Sequence, residues 1–320
     1  MQPQQTYQEV TLEDFAQSFG TTVDDIPEDC RDLIAKTDFR YRKFSPRERD
    51  KIILDILKTI ETGNLTVSGQ ERKAAWEKGW SENLQNFLES GYKIEGLVPK
   101  YIRPEQPVRL KLDYVMPCEP NFEFYYTQVF RLWLFRKYLK DAESIYELGC
   151  GTGYNLVLLA ELFPEKKLHG LDWTEASQKI LNLIAEKHGK NIEAHLFDFY
   201  SPDEDLEITD NSAVMTFAAL EQIGNNHEAF LQFLLKKSPA LCINIECLCE
   251  LYDENNLLDY LAIKYHKKRN YLYGYLNRLK QLEADGKIEI QEVQRTFFGN
   301  LYHEAYSFVV WKPKHNTSSA

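Results

Sequence analysis

A short segment in the middle of the chain places an acid directly before a run of alternating glycines. Glu147 lies near the end of an apolar stretch, and Gly149, Gly151 and Gly153 follow it at every second position. Because glycine has no Cβ, the backbone of such a turn can approach a ligand closely. A helix is predicted to begin near Asn155, and its N-terminal N–H groups and positive dipole end would point at the same ligand. The segment therefore predicts a strand, a binding turn and a helix that together hold a small molecule.

The glycine spacing distinguishes between two kinds of ligand. Dinucleotide-binding folds use G-x-G-x-x-G, in which the third glycine lets the helix pack closely on the strand. Here the spacing is G-x-G-x-G, and Glu147 stands two residues before the first glycine. An acid at this position suits a ligand with a free amino group better than it suits a pyrophosphate. S-adenosylmethionine has such an amino group, and its carboxylate suits the N-terminus of the helix.

Two more acids follow at the ends of the next two predicted strands. Asp172 lies 19 residues beyond Gly153 and can accept hydrogen bonds from both ribose hydroxyls. Trp173, directly after it, offers an apolar face to adenine. Asp198 can accept a hydrogen bond from the adenine amino group, and Phe199 can pack on the ring. Both acids therefore fall where the same ligand needs a polar contact.

With these motifs, the sequence resembles class I S-adenosylmethionine-dependent methyltransferases over roughly residues 122–312. The resemblance implies that Glu147 and the three glycines hold the methionine part of the cofactor. It also implies that Asp172 holds the ribose and Asp198 the adenine amino group. The competing interpretation is a glycine-rich turn on an unrelated α/β protein. The predicted cofactor-binding residues are Glu147, Gly149, Gly151, Gly153, Asn155, Asp172, Trp173, Asp198, Phe199 and Ala219.

The pattern from residue 143 onward alternates strands and helices, as a parallel α/β sheet requires. A long helix is predicted to begin near Asp253. Two runs with β character, 287–296 and 305–312, follow it and are predicted to form a hairpin at the end of the fold. A terminal hairpin is what the resemblance to methyltransferases implies for the last strands of the sheet. The predicted fold class is therefore α/β, with a Rossmann-like, seven-stranded, mostly parallel sheet whose last strand is antiparallel, plus a helical N-terminal cap. The other predicted strands span 144–148, 167–172, 192–197, 213–218 and 240–246.

The chain is expected to divide into two parts and a tail. Residues 1–120 have no nucleotide-binding signature and are predicted to form a mainly helical cap that helps to define the substrate. Residues 121–315 are predicted to form the S-adenosylmethionine-binding core. The tail at 316–320 is small and polar, and it is predicted to be disordered.

Three features predict the local structure of the N-terminal part. Ser45–Glu48 and Ser68–Glu71 both match the capping box that begins a helix. The second helix carries Trp76 and Trp80 on one stripe, which is typical of a helix face in contact with a larger body. Five prolines within 96–120 indicate an extended linker or short strands in place of a helix.

Residues beyond the predicted strand ends are candidates for acting on the substrate. Glu221 follows the fourth strand, where it can serve as a general base, bind a substrate ammonium, or simply cap the next helix. His303, in the hairpin loop, is the histidine best placed to act as a base near neutral pH, or is a solvated loop residue. Tyr126 is predicted to line the methionine end of the cofactor, because aromatic rings attract a sulfonium by about 0.5–2 kcal/mol. The basic stretch 266–269 is predicted to be a solvated helix face or a contact for an anionic substrate group.

Composition excludes several classes of partner. The 38 basic and 49 acidic residues give a net charge of −11, which disfavours nucleic acid because phosphate binding needs a basic surface. No run of about 18 apolar residues suggests a membrane span, and no signal-peptide pattern begins the chain, so a cytoplasmic location is expected. The six cysteines form no disulfide framework. Cys242, Cys247 and Cys249 are expected to be buried thiols, so no metal site is predicted.

The sequence therefore predicts an S-adenosylmethionine-dependent methyltransferase that acts on a small-molecule metabolite or biosynthetic intermediate. Two alternatives stay open, and the oligomeric state is not indicated. Enzymes of the same fold can attack the aminocarboxypropyl carbon, as azetidine-2-carboxylate synthases do when they cyclise the cofactor and release methylthioadenosine. A catalytically silent binding scaffold is the second alternative, and the presence of all three acids argues against it.

Overall fold

The computed structural model describes residues 6–63, 65–99 and 102–314. The tail at 316–320, predicted to be disordered, lies outside these residues. The first elements, in chain order, are β1 (Tyr7–Glu9), α1 (Leu12–Phe19), α2 (Glu28–Lys36), β2 (Arg40–Lys43), α3 (Pro46–Glu61), α4 (Lys73–Glu89), β3 (Val108–Leu110) and β4 (Asp113–Pro117).

One of the two predicted capping boxes is present. The Ser45 side chain accepts a hydrogen bond from the Glu48 N–H, the Glu48 carboxylate accepts one from the Ser45 N–H, and α3 begins there as predicted. The prediction for Ser68 is wrong, because its hydroxyl donates to the Gln222 side chain at 3.2 Å instead. A short 3₁₀ turn follows, and α4 begins only at Lys73.

The N-terminal part contains a small antiparallel sheet besides its helices. Its strand order is β1-β2-β4-β3-β11. The edge strand β11 (Phe298–Gly299) has only two residues, comes from the C-terminal part of the chain and pairs with β3. The short strands predicted within 96–120 are present as β3 and β4, whereas β1 and β2 were not predicted. These strands have only three and four residues, too few to show a clear alternation of apolar and polar side chains.

The second part of the chain follows the predicted alternation closely. Every predicted strand is present, with ends that differ by at most two residues. Before β11 the elements are α5 (Phe122–Tyr138), β5 (Ser144–Leu148), α6 (Tyr154–Leu162), β6 (Lys167–Asp172), α7 (Glu175–His188), β7 (Ile192–Leu196), β8 (Ser212–Phe217), α8 (Glu228–Lys237), β9 (Leu241–Glu246), α9 (Leu257–Arg269), α10 (Tyr275–Ala284) and β10 (Ile288–Gln294), and β12 (Ser307–Pro313) comes last.

Seven of these strands form one sheet in the order β10-β12-β9-β8-β5-β6-β7. Neighbouring strands from β9 to β7 are parallel, and β12 is antiparallel to both β9 and β10. The predicted α/β fold class, with a mostly parallel sheet and an antiparallel last strand, is confirmed. Because parallel strands end on the same edge of a sheet, the segments after β5, β6, β7, β8 and β9 meet along one edge.

The single long helix predicted before the hairpin is in fact two helices. Asn270 ends α9 in the left-handed conformation, with φ of 51°, and its N–H closes the helix on the carbonyls of His266 and Lys267. Gly274, with φ of 78°, then precedes α10. An asparagine can adopt this conformation at small cost, so the break follows from local chemistry that the periodicity did not show.

A buried ion network joins the N-terminal part to the large sheet. Arg109 on β3 is fully buried and donates to Asp259 of α9 at 2.8 Å, with Glu304 at 3.4 Å. Arg295 donates to the same two carboxylates at 2.6 and 2.7 Å. Two cations therefore balance two anions in the interior, which fixes the loop before β12 against α9. Within the described residues, no helix has the length and apolar character that crossing a membrane would require.

Candidate cofactor and substrate site

The glycine turn lies at the end of β5 and needs glycine at its first two positions. Gly149 and Gly151 have φ of 76° and 53°, a left-handed conformation that other residues rarely adopt. A Cβ on Gly149 would lie under 3.0 Å from the Cβ of Ala219, and one on Gly151 would lie 2.8 Å from the ring of Trp80. The turn is therefore packed closely by two segments that are distant in sequence, one from β8 and one from α4.

Glu147 has the chemistry to bind an ammonium group. One carboxylate oxygen accepts a hydrogen bond from the Asn155 side chain at 2.6 Å. The other oxygen is buried and has no hydrogen-bond partner among the residues that the structure describes. Burial raises the pKa of Glu147 to about 7, with the Asn155 hydrogen bond and the Arg131 charge opposing the rise. An ammonium group beside the unpaired oxygen would restore the ionised carboxylate, so these residues fit the amino group of S-adenosylmethionine.

Asp172 both faces the cleft and holds the glycine turn. Its carboxylate accepts hydrogen bonds from the Gly151 N–H at 3.0 Å and from the Thr174 N–H and hydroxyl at 3.0 and 2.7 Å. Burial raises its pKa, and these hydrogen bonds oppose the rise. A carboxylate can accept about four hydrogen bonds, so three internal partners leave little capacity for both ribose hydroxyls. The sequence analysis did not anticipate the contact with Gly151.

The residues predicted around adenine line one hollow beside the turn. Trp173, Phe199 and Ala219 contribute to its wall together with Asp172 and Gly149. This apolar, aromatic lining is suited to a flat heterocycle.

Asp198 lies next to the hollow but does not line it. Its carboxylate accepts the Tyr200 N–H at 2.9 Å, which fixes the turn after β7. Its predicted contact with the adenine amino group stays a prediction.

A second hollow adjoins the first, and Glu147 contributes to its wall. Arg131, Asn155 and Tyr154 line it, and Arg131 donates to the Asn155 side chain at 2.8 Å. The two hollows share Gly149, Ala218, Trp76 and Trp80, and we call them together the cofactor cleft. Arg131 was missed by the sequence analysis, because it lies on α5 before the glycine motif and no local pattern marks it.

Helix α4 covers the cofactor cleft with two tryptophans. The indole rings of Trp76 and Trp80 lie 5.3 Å apart, and both line the two hollows. Glu77 on the same helix accepts the N–H groups of Glu175 and Ala176 at 2.8 and 3.0 Å, which places α4 on the start of α7. The tryptophan stripe, predicted to be a contact face, is therefore also part of the wall of the cleft.

The segment after β8 is strained where it passes the glycine turn. Ala218 has φ of 51°, an uncommon conformation for alanine that costs of the order of 1–3 kcal/mol. Glu246, at the end of β9, accepts the N–H groups of Ala219 and Leu220, each at 3.1 Å. Glu246 is fully buried and does not line the cleft, so it holds this segment in place and does not face the ligand.

Glu221 lies beside a buried cysteine and close to the cleft. Its carboxylate accepts the Gln222 side chain at 2.9 Å and has the Cys247 sulfur at 3.8 Å. Gln222 in turn lines the cofactor cleft. Desolvation raises the pKa of Glu221 to about 7, with Gln222 and Arg269 opposing the rise. A carboxyl group of this pKa can accept or release a proton near neutral pH.

His303 is buried and pairs with another histidine. Its Nδ1 lies 3.0 Å from Nε2 of His266, and both side chains are at most 5% exposed. The interpretation of His303 as a solvated loop residue, and of His266 as part of a solvated face, is therefore wrong. Burial lowers the pKa of His266 to about 3 and that of His303 well below its usual range, so both imidazoles are neutral and weakly basic.

Tyr126 does not lie in the cofactor cleft, and its predicted catalytic role is wrong. Its hydroxyl hydrogen-bonds with the Ser18 hydroxyl at 2.6 Å, and its ring stacks on Phe298 at 3.6 Å. Burial raises the pKa of this phenol. Helix α5 turns the side chain toward α1 and the small sheet, so Tyr126 is a packing residue.

A family model supports this interpretation of the cleft. Residues 145–236, from β5 to α8, match the family described as a methyltransferase domain. The chain carries a class I S-adenosylmethionine-dependent methyltransferase domain. S-adenosylmethionine is accordingly its cofactor, and the protein is a transferase. No curated protein shows significant similarity to the chain.

Several solved structures are similar to this chain at low sequence identity. The 4+2 cyclase SpnF is 11% identical, with a TM-score of 0.51 over 78% of this chain and 97% of that chain. A SAM-dependent methyltransferase from Aquifex aeolicus is 18% identical, with a TM-score of 0.41 over 57% and 88%. Magnesium protoporphyrin IX methyltransferase from Synechocystis PCC 6803, with bound SAH, is 12% identical, with a TM-score of 0.42 over 58% and 81%.

Proposed function

We propose that the protein transfers the methyl group of S-adenosylmethionine to a small-molecule acceptor that binds beside Glu221. The observation that carries the proposal is the position of this carboxyl group. It lies three residues after the strained residue Ala218, which lines both hollows of the cofactor cleft. The cofactor supplies an electrophilic methyl group, and an acceptor hydroxyl, thiol or amine must lose a proton as it becomes methylated. We assign the acceptance of that proton to Glu221.

Within the cleft, we assign the cofactor contacts as follows. Glu147 binds the amino group with its unpaired oxygen, and Arg131 is positioned to bind the carboxylate. Asp172 and Asp198 accept from ribose and adenine, and Trp173 and Phe199 pack on the base. Gly149 and Gly151 keep the turn open to the ligand, and Ala219 closes the wall opposite Gly149. Gly153, with φ of 72°, instead allows the turn to pack on Leu181 of α7.

A separate cavity is the best candidate for the acceptor. It has a volume of about 500 Å³, within the range of small-molecule sites. Tyr271 and His266 line it, and the rings of both also lie close to His303, at 5.6 and 5.1 Å between ring centroids. The cavity therefore reaches the histidine pair, each of which has a ring nitrogen within 4.8 Å of the Cys247 sulfur beside Glu221. Glu250 and Glu254 line it as well, which favours a neutral or cationic acceptor over an anionic one. We call it the tyrosine cavity.

His303 is a poorer general base than its position in the sequence suggested. A base works best when its pKa lies near the working pH, and burial has moved the pKa of His303 well below that range. We therefore propose Glu221 as the only proton acceptor among the predicted catalytic residues.

Product analysis tests the proposal. The purified chain is incubated with S-adenosylmethionine, first alone and then with a fractionated small-molecule extract, and the nucleoside products are measured by mass spectrometry. We expect S-adenosylhomocysteine only when an acceptor is present. Release of methylthioadenosine without any acceptor would overturn methyl transfer in favour of attack at the aminocarboxypropyl carbon. Cofactor binding in calorimetry with no product from any fraction would support the silent scaffold.

A further inference from the structure

We propose that Cys247, His266 and His303 form a Zn²⁺ site with an open fourth position beside Glu221. The sulfur and the two imidazole nitrogens lie within 4.8 Å of one another, and all three side chains are buried. The ligands come from three separate elements: the residue after β9, helix α9 and the loop before β12. Sequence spacing could not indicate this group, because no two of the three residues are close in the chain.

The ligand types and their number identify the metal. Two neutral imidazoles with one thiolate are ligands that Zn²⁺ binds well, whereas Mg²⁺ and Ca²⁺ prefer oxygen. Three protein ligands with a free fourth position are the pattern of catalytic zinc sites, and structural sites normally have four. The nitrogens of His266 and His303 lie 3.0 Å apart, close to the separation of two ligands that share one ion about 2.0–2.1 Å away.

The surroundings hold two of the ligands without competing for the metal. The backbone N–H of His303 donates to the Asn300 side chain at 3.2 Å. The ring of His266 packs edge-to-face on Tyr252 and Tyr271, at 5.8 and 5.7 Å between ring centroids. Its Nδ1 has no hydrogen-bond partner among the described residues, so the ring is oriented by this packing and by the contact of its Nε2 with His303.

The charges around the group are compatible with a dication. Arg109 is already balanced by Asp259 and Glu304 in the buried network. Arg269 donates to the hydroxyl of Tyr265 at 2.8 Å. Besides burial, its charge and that of Arg109 lower the pKa of both histidines, so an anionic partner is needed to balance a dication. The Cys247 thiol donates to the Glu221 carboxylate at 3.8 Å, and burial raises the pKa of this thiol. Binding of Zn²⁺ would displace the thiol proton to solvent, and a thiolate and a carboxylate would then face one dication.

The open position gives the site a role in the reaction. His266 lines the tyrosine cavity, so an acceptor entering there would meet the metal. Coordination to zinc lowers the pKa of a bound thiol or hydroxyl, and Glu221 would take the released proton. The role as acceptor site rests on the proposed methyl transfer, whereas zinc binding itself does not. We therefore infer that the acceptor is a thiol or an alcohol.

A second group of possible ligands provides the control. His169, Glu193 and His195 lie on adjacent strands, with separations of 3.0 to 3.8 Å between their nitrogen and oxygen atoms. Glu193 is half exposed and already pairs with Lys167 at 3.0 Å. The variant His195→Ala removes a ligand from this second group and leaves Cys247, His266 and His303 intact. A loss of metal in this variant would therefore assign the metal to the second group.

Metal binding is measured on the purified full chain by elemental analysis and by substitution with Co²⁺. We expect one zinc per chain and a near-ultraviolet thiolate-to-cobalt charge-transfer band. In Cys247→Ser the charge-transfer band should vanish, because the sulfur ligand is lost. In both Cys247→Ser and His303→Ala the zinc affinity should fall at least about ten-fold. His195→Ala should leave both unchanged. Calorimetry with S-adenosylmethionine and a thermal melt verify that each variant is folded.

Two results would overturn the inference: no thiolate band in the unmodified protein, or metal that is retained in Cys247→Ser and lost in His195→Ala. Because these measurements need no turnover, they stand apart from the proposed function. Zinc bound by a protein that forms no S-adenosylhomocysteine would refute methyl transfer alone. Equal rates of S-adenosylhomocysteine formation with and without zinc would refute the role as acceptor site and leave methyl transfer intact.

Discussion

The contact between the glycine turn and the segment after β8 gives a quantitative prediction. In Gly149→Ala, the new Cβ would lie under 3.0 Å from the Cβ of Ala219, on a backbone with φ of 76°. The left-handed conformation costs alanine roughly 1–2 kcal/mol, and overpacking of a rigid contact adds about 1–3 kcal/mol. Ala219 cannot move away easily, because its N–H is held by Glu246 at 3.1 Å. We therefore expect the free energy of unfolding to fall by about 2–5 kcal/mol.

The second substitution Ala219→Gly separates the two costs. It removes the methyl group that the new Cβ would meet but leaves the backbone strain at position 149. Alone it should cost about 0.4–1 kcal/mol. The double variant should therefore lose about 1–3 kcal/mol less stability than the sum of the losses in the two single variants. This coupling energy equals the cost of overpacking in Gly149→Ala.

Urea unfolding of the four proteins measures this cycle, with S-adenosylmethionine affinity from calorimetry as the second quantity. The residual loss in the double variant, roughly 1–3 kcal/mol, should represent strain and the added glycine. A double variant as unstable as the sum of the two single variants would refute the reasoning, because the two side chains would then not meet. The nearest ring carbon of Phe199 would lie 3.3 Å from the new Cβ and can yield slightly, so it should not obscure the coupling.

Three further predictions concern the acids at the edge of the sheet. Asp172→Ala should weaken S-adenosylmethionine binding in calorimetry more than Asp198→Ala does, because it also leaves the Gly151 N–H without its acceptor; equal affinities would contradict this. Glu221→Gln should lower kcat and leave cofactor affinity intact. In the unmodified enzyme kcat should rise as the pH passes about 7, where Glu221 ionises, and a rise that persists in the variant would exclude Glu221 as the base. Burial raises the pKa of Glu246 to about 8, so its contribution to stability is present below about pH 4.5 and is lost as the pH rises toward 8. Glu246→Gln should flatten that decline in urea unfolding, and an unchanged slope would mean that other groups cause it.

The periodicity of the sequence was sufficient for the large sheet. Each buried strand is a short apolar run bounded by turn residues, and these runs alternate with helices, so β5 to β9 could be located within one or two residues. The glycine turn was equally clear, because its residues are local and its conformation can be adopted only by glycine at low cost. Asn270 shows where periodicity fails: a helix break that depends on one left-handed asparagine leaves no gap in the apolar pattern.

The sequence by itself determined the fold class and the cofactor, because both follow from the alternation of strands and helices and from the motif at one strand end. It also located Glu147 and Asp172 at strand ends beside the cleft. Only the tertiary structure decided which distant side chains join them. Trp80 reaches the turn from α4, and Arg131 reaches the cleft from α5. Tyr126 is directed away from the cleft by the same helix, and Cys247 meets two histidines from other elements. These contacts depend on how helices pack on the sheet, and packing is fixed by shape across the whole molecule and not by any local spacing.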